Sequence, residues 1–380
     1  MEETKYLIWL AMIFGSASRA VWEVIETYDT AYQAYAEITG GSCPIPMTIN
    51  QKNNIDKISP EKAEEIISYC ASNNINIITY NSPDYPEELK DISCPPPVLY
   101  CKGNISCIKN GKNVTCVGTR KPSNYTQKII SGICTELAVN NFTIVSGFAV
   151  GCDITAHMSA VKNSGKTACI LGCGLDINYP SQNQQYRKSI IENGGVFISE
   201  FPPETPAFAR NFPQRNRILS ALSKATIVFE ATEKSGSLNT ASLVCRQHKK
   251  LFCIPPADIL DSRYAGNIHL LRTCAEPLYS VDDILDIYGF TENKPEIRYK
   301  PEKNKYHIND IPKKNETKFT SVQQKILSIF NDEPMHIDTI IDRLNMDISE
   351  IIAEIMDLQM SGVIEEITGN RYRKTERGNR

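Results

Sequence analysis

The chain has no long apolar run, and this absence limits where the protein can work. Its 380 residues are 41% hydrophobic and 22% charged, which is ordinary for a globular protein. The longest apolar run near the start, residues 6–14, is too short to span a bilayer and is not followed by a signal-peptide cleavage pattern. We therefore expect no membrane contact and a cytoplasmic location.

Closely spaced cysteine pairs are also missing. The chain has 13 cysteines but no C-x-x-C pair, and several of them lie inside apolar segments that are predicted as strands. Zinc sites and redox motifs usually need such a pair. We interpret the cysteines as reduced, small hydrophobic residues and expect neither a metal nor another cofactor.

An excess of positive charge is absent as well, because the formal net charge is −3. The sequence as a whole therefore gives no sign of nucleic-acid binding. Any such contact has to come from a local basic patch.

One local pattern recurs four times: a short apolar segment, a glycine-containing turn and a helical pattern. The turns are residues 118–120, 146–151, 172–174 and 235–240. Strands that alternate with helices predict a mostly parallel, Rossmann-like α/β sheet with all four turns at one edge. Unpaired N–H groups at helix starts favour an anion there, with Asp153 as one candidate N-cap residue. A purely structural role for each turn is the alternative.

One segment of the predicted sheet is distinctly basic. Residues 210–224 carry four cations and no acid, and Phe208 and Phe212 lie among them. Arginines bind phosphates and aromatic rings stack on bases, so this composition is typical of a groove for single-stranded nucleic acid. A solvated basic helix is the alternative.

The chain divides into five predicted segments. They are a small helical domain (1–80), a proline-rich connection (81–110), the Rossmann-like domain (111–290), a flexible linker (291–318) and a winged-helix domain (319–375). The third helix of the winged helix carries Glu350, Glu354 and Asp357 and no basic residue. Acidic residues disfavour docking against DNA phosphates, so a protein contact is the favoured role for this domain.

With these motifs in place, the chain resembles the DNA-processing protein A (DprA/Smf) family. The resemblance rests on Val117-Gly118-Thr119-Arg120, Ser123-Asn124-Tyr125, Ser146 to Asp153 with Ala156-His157, Gly174-Leu175-Asp176 with Tyr179-Pro180, Ser199-Glu200, Phe212 to Arg217, and Ser235 to Ala241. These motifs occur in the order that the family shows. Val150 is a departure, because many relatives have an arginine at that position.

The resemblance implies a recombination mediator of natural transformation, not an enzyme. Such a protein binds and protects incoming single-stranded DNA, helps to load a RecA-type recombinase and works as a homodimer. By analogy, the phosphate-binding residues would be Gly118, Thr119, Arg120, Ser146, Gly147, Phe212, Arg215, Asn216, Arg217, Ser235, Gly236, Ser237 and Thr240.

Two alternatives stay open. The same architecture occurs in nucleotide-processing enzymes such as phosphoribohydrolases, for which Asp153, His157, Glu200 and Glu230 could supply acid and base groups. A sensor of a free nucleotide is the other alternative. Structural roles, such as the helix cap for Asp153 and packing for His157, compete with the enzyme reading.

Overall fold

The computed structural model describes residues 2–290, 319–331, 333–344, 346, 348–367 and 370–375. The chain forms two compact units, residues 1–293 and residues 294–380. The predicted linker, residues 291–318, lies outside the described residues, as do Thr368 and Gly369 of the predicted winged-helix turn.

The first unit begins with helices. They are α1 (Glu2–Phe14), α2 (Arg19–Thr27), α3 (Ala31–Thr39), α4 (Ile49–Lys57) and α5 (Pro60–Ser72). Helix α1 is apolar on nearly all sides and is therefore buried among the other helices. Local polar signals fix the helix starts: the Thr48 hydroxyl and the Gln51 side chain form a capping box at α4, and Pro60 is the first residue of α5.

A nine-stranded sheet follows within the described residues. Its strands are β1 (Asn76–Thr79), β2 (Val98–Gly103), β3 (Asn113–Val117), β4 (Thr143–Ser146), β5 (Thr167–Ile170), β6 (Val196–Ser199), β7 (Ala225–Val228), β8 (Lys250–Cys253) and β9 (Glu276–Pro277). The helices between and after them are α6 (Asn124–Val139), α7 (Cys152–Val161), α8 (Arg187–Glu192), α9 (Asn211–Ala221), α10 (Ser237–Arg246), α11 (Ala265–Thr273) and α12 (Asp282–Ile287).

The spatial order of the strands is β1-β2-β6-β5-β4-β3-β7-β8-β9. The seven strands from β6 to β9 are parallel, and only β1 and β2 run antiparallel to their neighbours. The predicted mostly parallel, Rossmann-like sheet is confirmed. The strand order reverses at β3, since β4 lies on one side of it and β7 on the other, and such a switch point is where open α/β sheets bind ligands.

The sheet begins earlier in the chain than the sequence predicts. Strand β1 lies inside the stretch expected to be helical, whereas β2 confirms the short strand that residues 98–101 predict within the proline-rich connection. Strand β1 is an edge strand with a mixed burial pattern, whereas β2 pairs with β1 on one side and β6 on the other. Four residues without clear alternation do not show a strand period, so the pairing partner decides this strand.

The helical segment and the sheet share one hydrophobic core. Trp9 and Leu10 of α1 belong to the same buried cluster as Tyr100 of β2 and Phe197 of β6. The Trp9 indole N–H also donates a hydrogen bond of 2.6 Å to the Ile58 carbonyl. The N-terminal helices are thus packed against the sheet as part of the first compact unit.

The second unit has the predicted winged-helix fold. It contains α13 (Ser321–Ile329), β10 (Met335–His336), α14 (Ile337–Leu344), α15 (Ile348–Met360), β11 (Ile364–Ile367) and β12 (Arg371–Lys374). The strands pair antiparallel in the order β10-β12-β11 around a small core that includes Ile326, Ile340 and Ile355.

The cysteines in the structure are all free, and most of them are buried in the core. Across the described residues, no group of three or more metal-ligating side chains is found. The helices in this part of the chain are also too short or too polar to cross a membrane.

A buried asparagine joins the ends of two central strands to α11, and its removal tests this arrangement. Asn267 accepts a hydrogen bond from the Ala231 N–H (2.7 Å) and donates to the carbonyls of Phe229 and Ile254 (3.0 Å each). Asn267→Ala removes a hydrogen bond from each of three buried backbone groups, so we expect a loss of about 3 kcal/mol in the free energy of unfolding.

Urea unfolding measures this change. The matched control is Asn163→Ala, whose amide also makes two hydrogen bonds but lies at the surface. A change of less than about 0.5 kcal/mol is expected there. Equal effects of both substitutions would contradict the role assigned to Asn267.

Candidate nucleic-acid interface

A cavity of about 380 Å³ lies at the carboxyl edge of the sheet, at the switch point. The turns after β3, β4, β5 and β7 and one side of α9 surround it. Its lining residues are Val117, Gly118, Thr119, Arg120, Gly147, Ala149, Val150, Asp153, Leu171, Gly172, Cys173, Tyr179, Pro180, Phe212, Arg215, Asn216, Leu219, Thr232, Ser235, Gly236, Ser237 and Thr240.

The cavity brings together all of the sequence-predicted site residues except Ser146 and Arg217. Ser146 is fully buried, and its hydroxyl donates a hydrogen bond of 2.5 Å to the Cys116 carbonyl on the neighbouring strand. Ser146 therefore braces β4 against β3 and cannot contact a ligand in the cavity. This corrects the prediction for Ser146.

Arg217 is also placed away from the cavity. Its guanidinium forms a two-pronged ion pair with the buried Glu200 carboxylate, at 3.0 and 2.6 Å. It reaches the Ser16 carbonyl in the turn after α1 as well. Residues 215 and 217 are about 200° apart on a helix, so α9 directs Arg215 and Arg217 to opposite sides. The prediction that Arg217 contacts phosphates is therefore not supported by its position.

Arg215 lies in the cavity wall, but it is only 5% exposed. Its guanidinium donates hydrogen bonds to the carbonyls of Gly147 (3.0 Å), directly after β4, and Ile170, the last residue of β5. Burial lowers the pKa of Arg215, while the nearby Asp153 carboxylate opposes this shift. The side chain thus holds two turns together and supplies a positive charge at the base of the cavity.

Asp153 organises the turn after β4. The helix begins after Gly151, so Asp153 is the second residue of α7 and not its N-cap, which corrects the prediction. Its carboxylate accepts hydrogen bonds from the N–H groups of Gly147 (3.0 Å) and Ala149 (3.3 Å). Burial raises the pKa of Asp153 to about 6, and Arg215 acts in the opposite direction. The Gly147 N–H, expected to face an anion, is therefore already engaged.

Other backbone donors are available at the cavity. Within the described residues, the N–H groups of Gly172, Cys173 and Gly236 have no hydrogen-bond partner. Gly236 directly precedes α10, whose first turn adds a positive dipole end. The hydroxyl groups of Ser235 and Ser237 lie 2.7 Å apart beside it. These groups, more than the turn after β4, can receive an anion.

Gly151 has to be glycine for the turn to form. Its φ of +86° is unfavourable for other residues, and an added Cβ atom would lie 2.5 Å from backbone atoms of Thr119 and Arg120. This close approach packs the turn after β4 against the turn after β3. It thereby fixes the position of Arg120 at the cavity.

Arg120 is the exposed cation of the cavity. Its side chain has no hydrogen bond or ion pair with any described residue, unlike those of Arg215 and Arg217. An exposed guanidinium without a protein partner can bind a phosphate through two parallel hydrogen bonds. Val150, on the facing turn, adds no charge.

Aromatic rings form one wall. The rings of Phe212 and Tyr179 lie 5.2 Å apart, and the Arg215 guanidinium lies 5.9 Å from the Phe212 ring. Gly172 allows this packing, because a Cβ atom there would meet the Phe212 ring at 3.0 Å. Nearby, Phe208 is 45% exposed and stacks with Arg210 at 4.9 Å. Such rings can stack on nucleic-acid bases.

Sequence reasoning missed several lining residues, including Leu171, Leu219 and Thr232. Leu171 ends an apolar segment predicted as a strand, and Thr232 lies three residues beyond the predicted strand 227–229, so their position at the end of a strand was a usable signal. The position of Leu219 in α9 predicts a core residue, and nothing in its local sequence indicates that it lines a cavity.

The acid and base groups of the enzyme alternative are not assembled at this cavity. Of the four candidates, only Asp153 lines it. His157 of α7 is fully buried, Glu200 is paired with Arg217, and Glu230 accepts a hydrogen bond of 2.6 Å from the Thr126 hydroxyl. Each of these three groups has a structural partner instead.

The fold and the cavity define a class. This is a Rossmann-like protein with glycine turns, cations and an aromatic wall at the switch point of its sheet, and with a winged helix further along the chain.

Comparison with known proteins identifies the family. The model of DNA recombination-mediator protein A matches residues 76–289, which begin with β1, and the model of the DprA winged helix domain matches residues 312–370. The chain belongs to the DNA recombination-mediator protein A family, as the sequence motifs indicated. Protein Smf of Synechocystis is 30% identical to it over 367 residues, covering 90% of this chain and 89% of that protein.

Two solved structures are similar. The X-ray structure of DNA processing protein A from Streptococcus pneumoniae has a TM-score of 0.63 and 29% identity, covering 74% of this chain and 97% of that one. DNA processing protein A from Helicobacter pylori has a TM-score of 0.51 and 29% identity, covering 56% of this chain and 95% of that one. The latter protein is described as having a single-stranded DNA binding mode.

The buried His157 of α7 gives the fold a defined response to acid. The Thr167 hydroxyl donates to the Ile144 carbonyl, so the His157 Nδ1–H has to donate to Thr167 Oγ1. Burial lowers the pKa of His157 to about 3. The unfolded chain binds a proton near pH 6.5 and the native state does not, so acidification from pH 6.5 towards pH 3 removes stability.

Unfolding free energies of the wild type and of His157→Gln test this response. Between pH 7 and pH 4, the wild type should lose about 3 kcal/mol of unfolding free energy relative to His157→Gln. The raised pKa of Asp153 acts in the opposite direction over part of this range, but it contributes to both proteins and cancels. A flat difference for His157→Gln would show that this ring is protonated in the native state.

Proposed function

We propose that this protein binds single-stranded DNA at the carboxyl-edge cavity. The observation that carries the proposal is the convergence of an exposed Arg120, a buried Arg215, unpartnered N–H groups and the Phe212 ring on one cavity. Phosphates suit the cations and N–H groups, and unpaired bases suit the ring. Membership of the DNA recombination-mediator protein A family and the binding mode described for the Helicobacter pylori protein support it.

We further propose that the bound strand is incoming DNA in natural transformation, and that the protein shields it and helps to load a RecA-type recombinase. A homodimer in the cytoplasm and a role without catalysis complete this proposal. Family membership supports it. Helix α15 of the winged helix carries acidic and no basic residues, which favours a protein contact over DNA for that unit.

Two arginines should behave differently in DNA binding, because only one of them faces the cavity. Arg120→Ala should weaken binding of an oligothymidylate roughly tenfold. The decrease of log affinity with log salt concentration should become less steep by about 0.7, as expected for one lost phosphate contact. Arg217→Ala should leave that slope unchanged. It should instead destabilise the fold by about 3 kcal/mol, because the buried Glu200 loses its partner.

Fluorescence anisotropy across a salt series and urea unfolding measure the two effects. Lys188→Ala, a highly exposed cation of α8, is the matched control for lost charge. If Arg120→Ala binds as the wild type does, the cavity is not the DNA site. If Arg217→Ala reduces the salt dependence of binding and leaves the stability unchanged, Arg217 contacts the DNA after all.

The role in recombinase loading can be tested separately. Recombinase filaments should assemble faster on single-stranded DNA that is already coated with a single-strand binding protein when this protein is added, and Arg120→Ala should abolish most of the gain. Filament growth is followed by fluorescence of labelled recombinase. DNA binding without any acceleration would contradict the loading role and leave the binding role intact.

A further inference from the structure

Lysines are concentrated at the edge of the sheet opposite the cavity. We call this the amino edge, because the parallel strands begin there. Lys112 directly precedes β3, Lys166 precedes β5 and Lys224 precedes β7, while Lys249 and Lys250 stand at the start of β8. Four strands of the central sheet thus begin with a cation, although the net charge of the chain is negative.

Backbone hydrogen bonds place these lysines side by side. The Lys112 carbonyl accepts from the Thr143 N–H, the Lys166 carbonyl accepts from the Ile144 N–H, and the Lys224 carbonyl accepts from the Lys250 N–H. The strands lie in the order β5-β4-β3-β7. With neighbouring strands about 4.8 Å apart, Lys166, Lys112 and Lys224 lie on a line of about 14 Å.

Acidic partners neutralise only part of this line. Lys250 forms an ion pair with Glu276 at 2.5 Å. Lys249 donates a hydrogen bond to the Ala221 carbonyl and lies within electrostatic reach of Glu88 and Asp91. In contrast, Lys112, Lys166 and Lys224 have no ion pair with any described residue. We call these three the amino-edge lysines; within the described part of the chain, no acidic group pairs with their charge.

Aromatic rings hold two of the amino-edge lysines in place. Lys112 Nζ lies 3.9 Å from the centre of the Phe290 ring and 6.0 Å from that of Phe142, and Lys224 Nζ lies 5.6 Å from that of Tyr288. The Phe142 ring contacts those of Tyr288 and Phe290 edge-on, so the rings form one cluster. The Tyr288 hydroxyl donates to the Asn113 carbonyl and accepts from the Lys224 N–H. Lysines on such a cluster lose less conformational freedom when an anion binds.

We propose that the amino-edge lysines form a second contact for the phosphate backbone of single-stranded DNA, used by strands long enough to pass from the cavity around the sheet. This inference rests on the proposed function. The lysine ammonium is a point charge without directional demand, so a line of three suits a flexible chain of phosphates. The line includes no donor or acceptor arranged for a particular base, so the contact is independent of sequence.

An acidic protein surface is the competing occupant. A protein interface would be expected to surround the charges with exposed apolar area, since large aromatic and aliphatic side chains dominate interface cores. Among the described residues, the exposed large hydrophobic side chains near these lysines are the Phe290 ring, 46% exposed and partly covered by Lys112, and Val139, which follows the Ala138 that faces Gly165. Lysines with so little exposed apolar surface beside them are better suited to bind the phosphate backbone of a nucleic acid than an acidic protein.

Length-dependent binding tests the proposal on the full chain. The test variant carries Lys112→Gln, Lys166→Gln and Lys224→Gln, and the matched control carries Lys52→Gln, Lys57→Gln and Lys188→Gln at exposed positions of other helices. Affinities for oligothymidylates of about 6 and about 40 nucleotides are measured across a salt series. For the test variant, the long strand should bind roughly tenfold more weakly with a salt slope smaller by about 2, and the short strand should bind as to the wild type.

Each other outcome contradicts the proposal. Unchanged binding of the long strand, an equal loss for both lengths, or an equal loss in the control variant would each show that the amino-edge lysines are not a specific second contact. Loss of binding to polyglutamate with unchanged binding of the long strand would assign the surface to an acidic protein. If the wild type fails to bind even the short strand, the proposed function itself fails, and this result is distinct from the others. Thermal unfolding of both variants verifies that they are folded.

Discussion

The candidate site depends on the burial of one guanidinium. Arg215 binds the carbonyl groups of Gly147 and Ile170 and lies close to the Asp153 carboxylate, which in turn binds two N–H groups of the turn after β4. A buried cation without partners would be very unfavourable, so these contacts have to form together. They fix the ends of two strands and the start of α7 in one arrangement. A cation that holds the cavity together this way also has little freedom to follow a moving ligand.

Because of this constraint, the arginines of the site have different roles. Arg215 is structural and electrostatic, and Arg217, two residues later, faces away and joins α9 to the buried Glu200 and to the turn after α1. Arg120 is exposed at the cavity and is kept there by the close approach of Gly151 to its backbone. Residues that look equivalent in the sequence thus differ in the charge that a ligand can reach. The accessible positive charge is small at the cavity and small at the amino edge, so it is divided between two opposite edges of the sheet.

Much of the fold follows from local sequence. Apolar segments ended by glycine turns predict the parallel strands, and the helical periods predict the winged helix. Strands β1 and β9 could not be predicted, because two to four residues at a sheet edge carry no reliable period and form only against their neighbours. For the cavity, the turns and the basic segment could be placed at one edge, since parallel strands all end there. Ser146 and Arg217 could not be excluded, since burial depends on which strand or helix packs beside them.

The sequence by itself determined the class of the fold, the family and the loops that surround the cavity, because period, turn chemistry and motif order are properties of neighbouring residues. Only the tertiary structure decided which cation is free. Lys112 and Lys224 are more than 100 residues apart in the chain, yet they precede the neighbouring strands β3 and β7. Lys166 precedes β5, two strands from β3, and the strand order alone brings the three together. Whether a charge is exposed or neutralised depends on partners distant in the chain, and no local pattern encodes them.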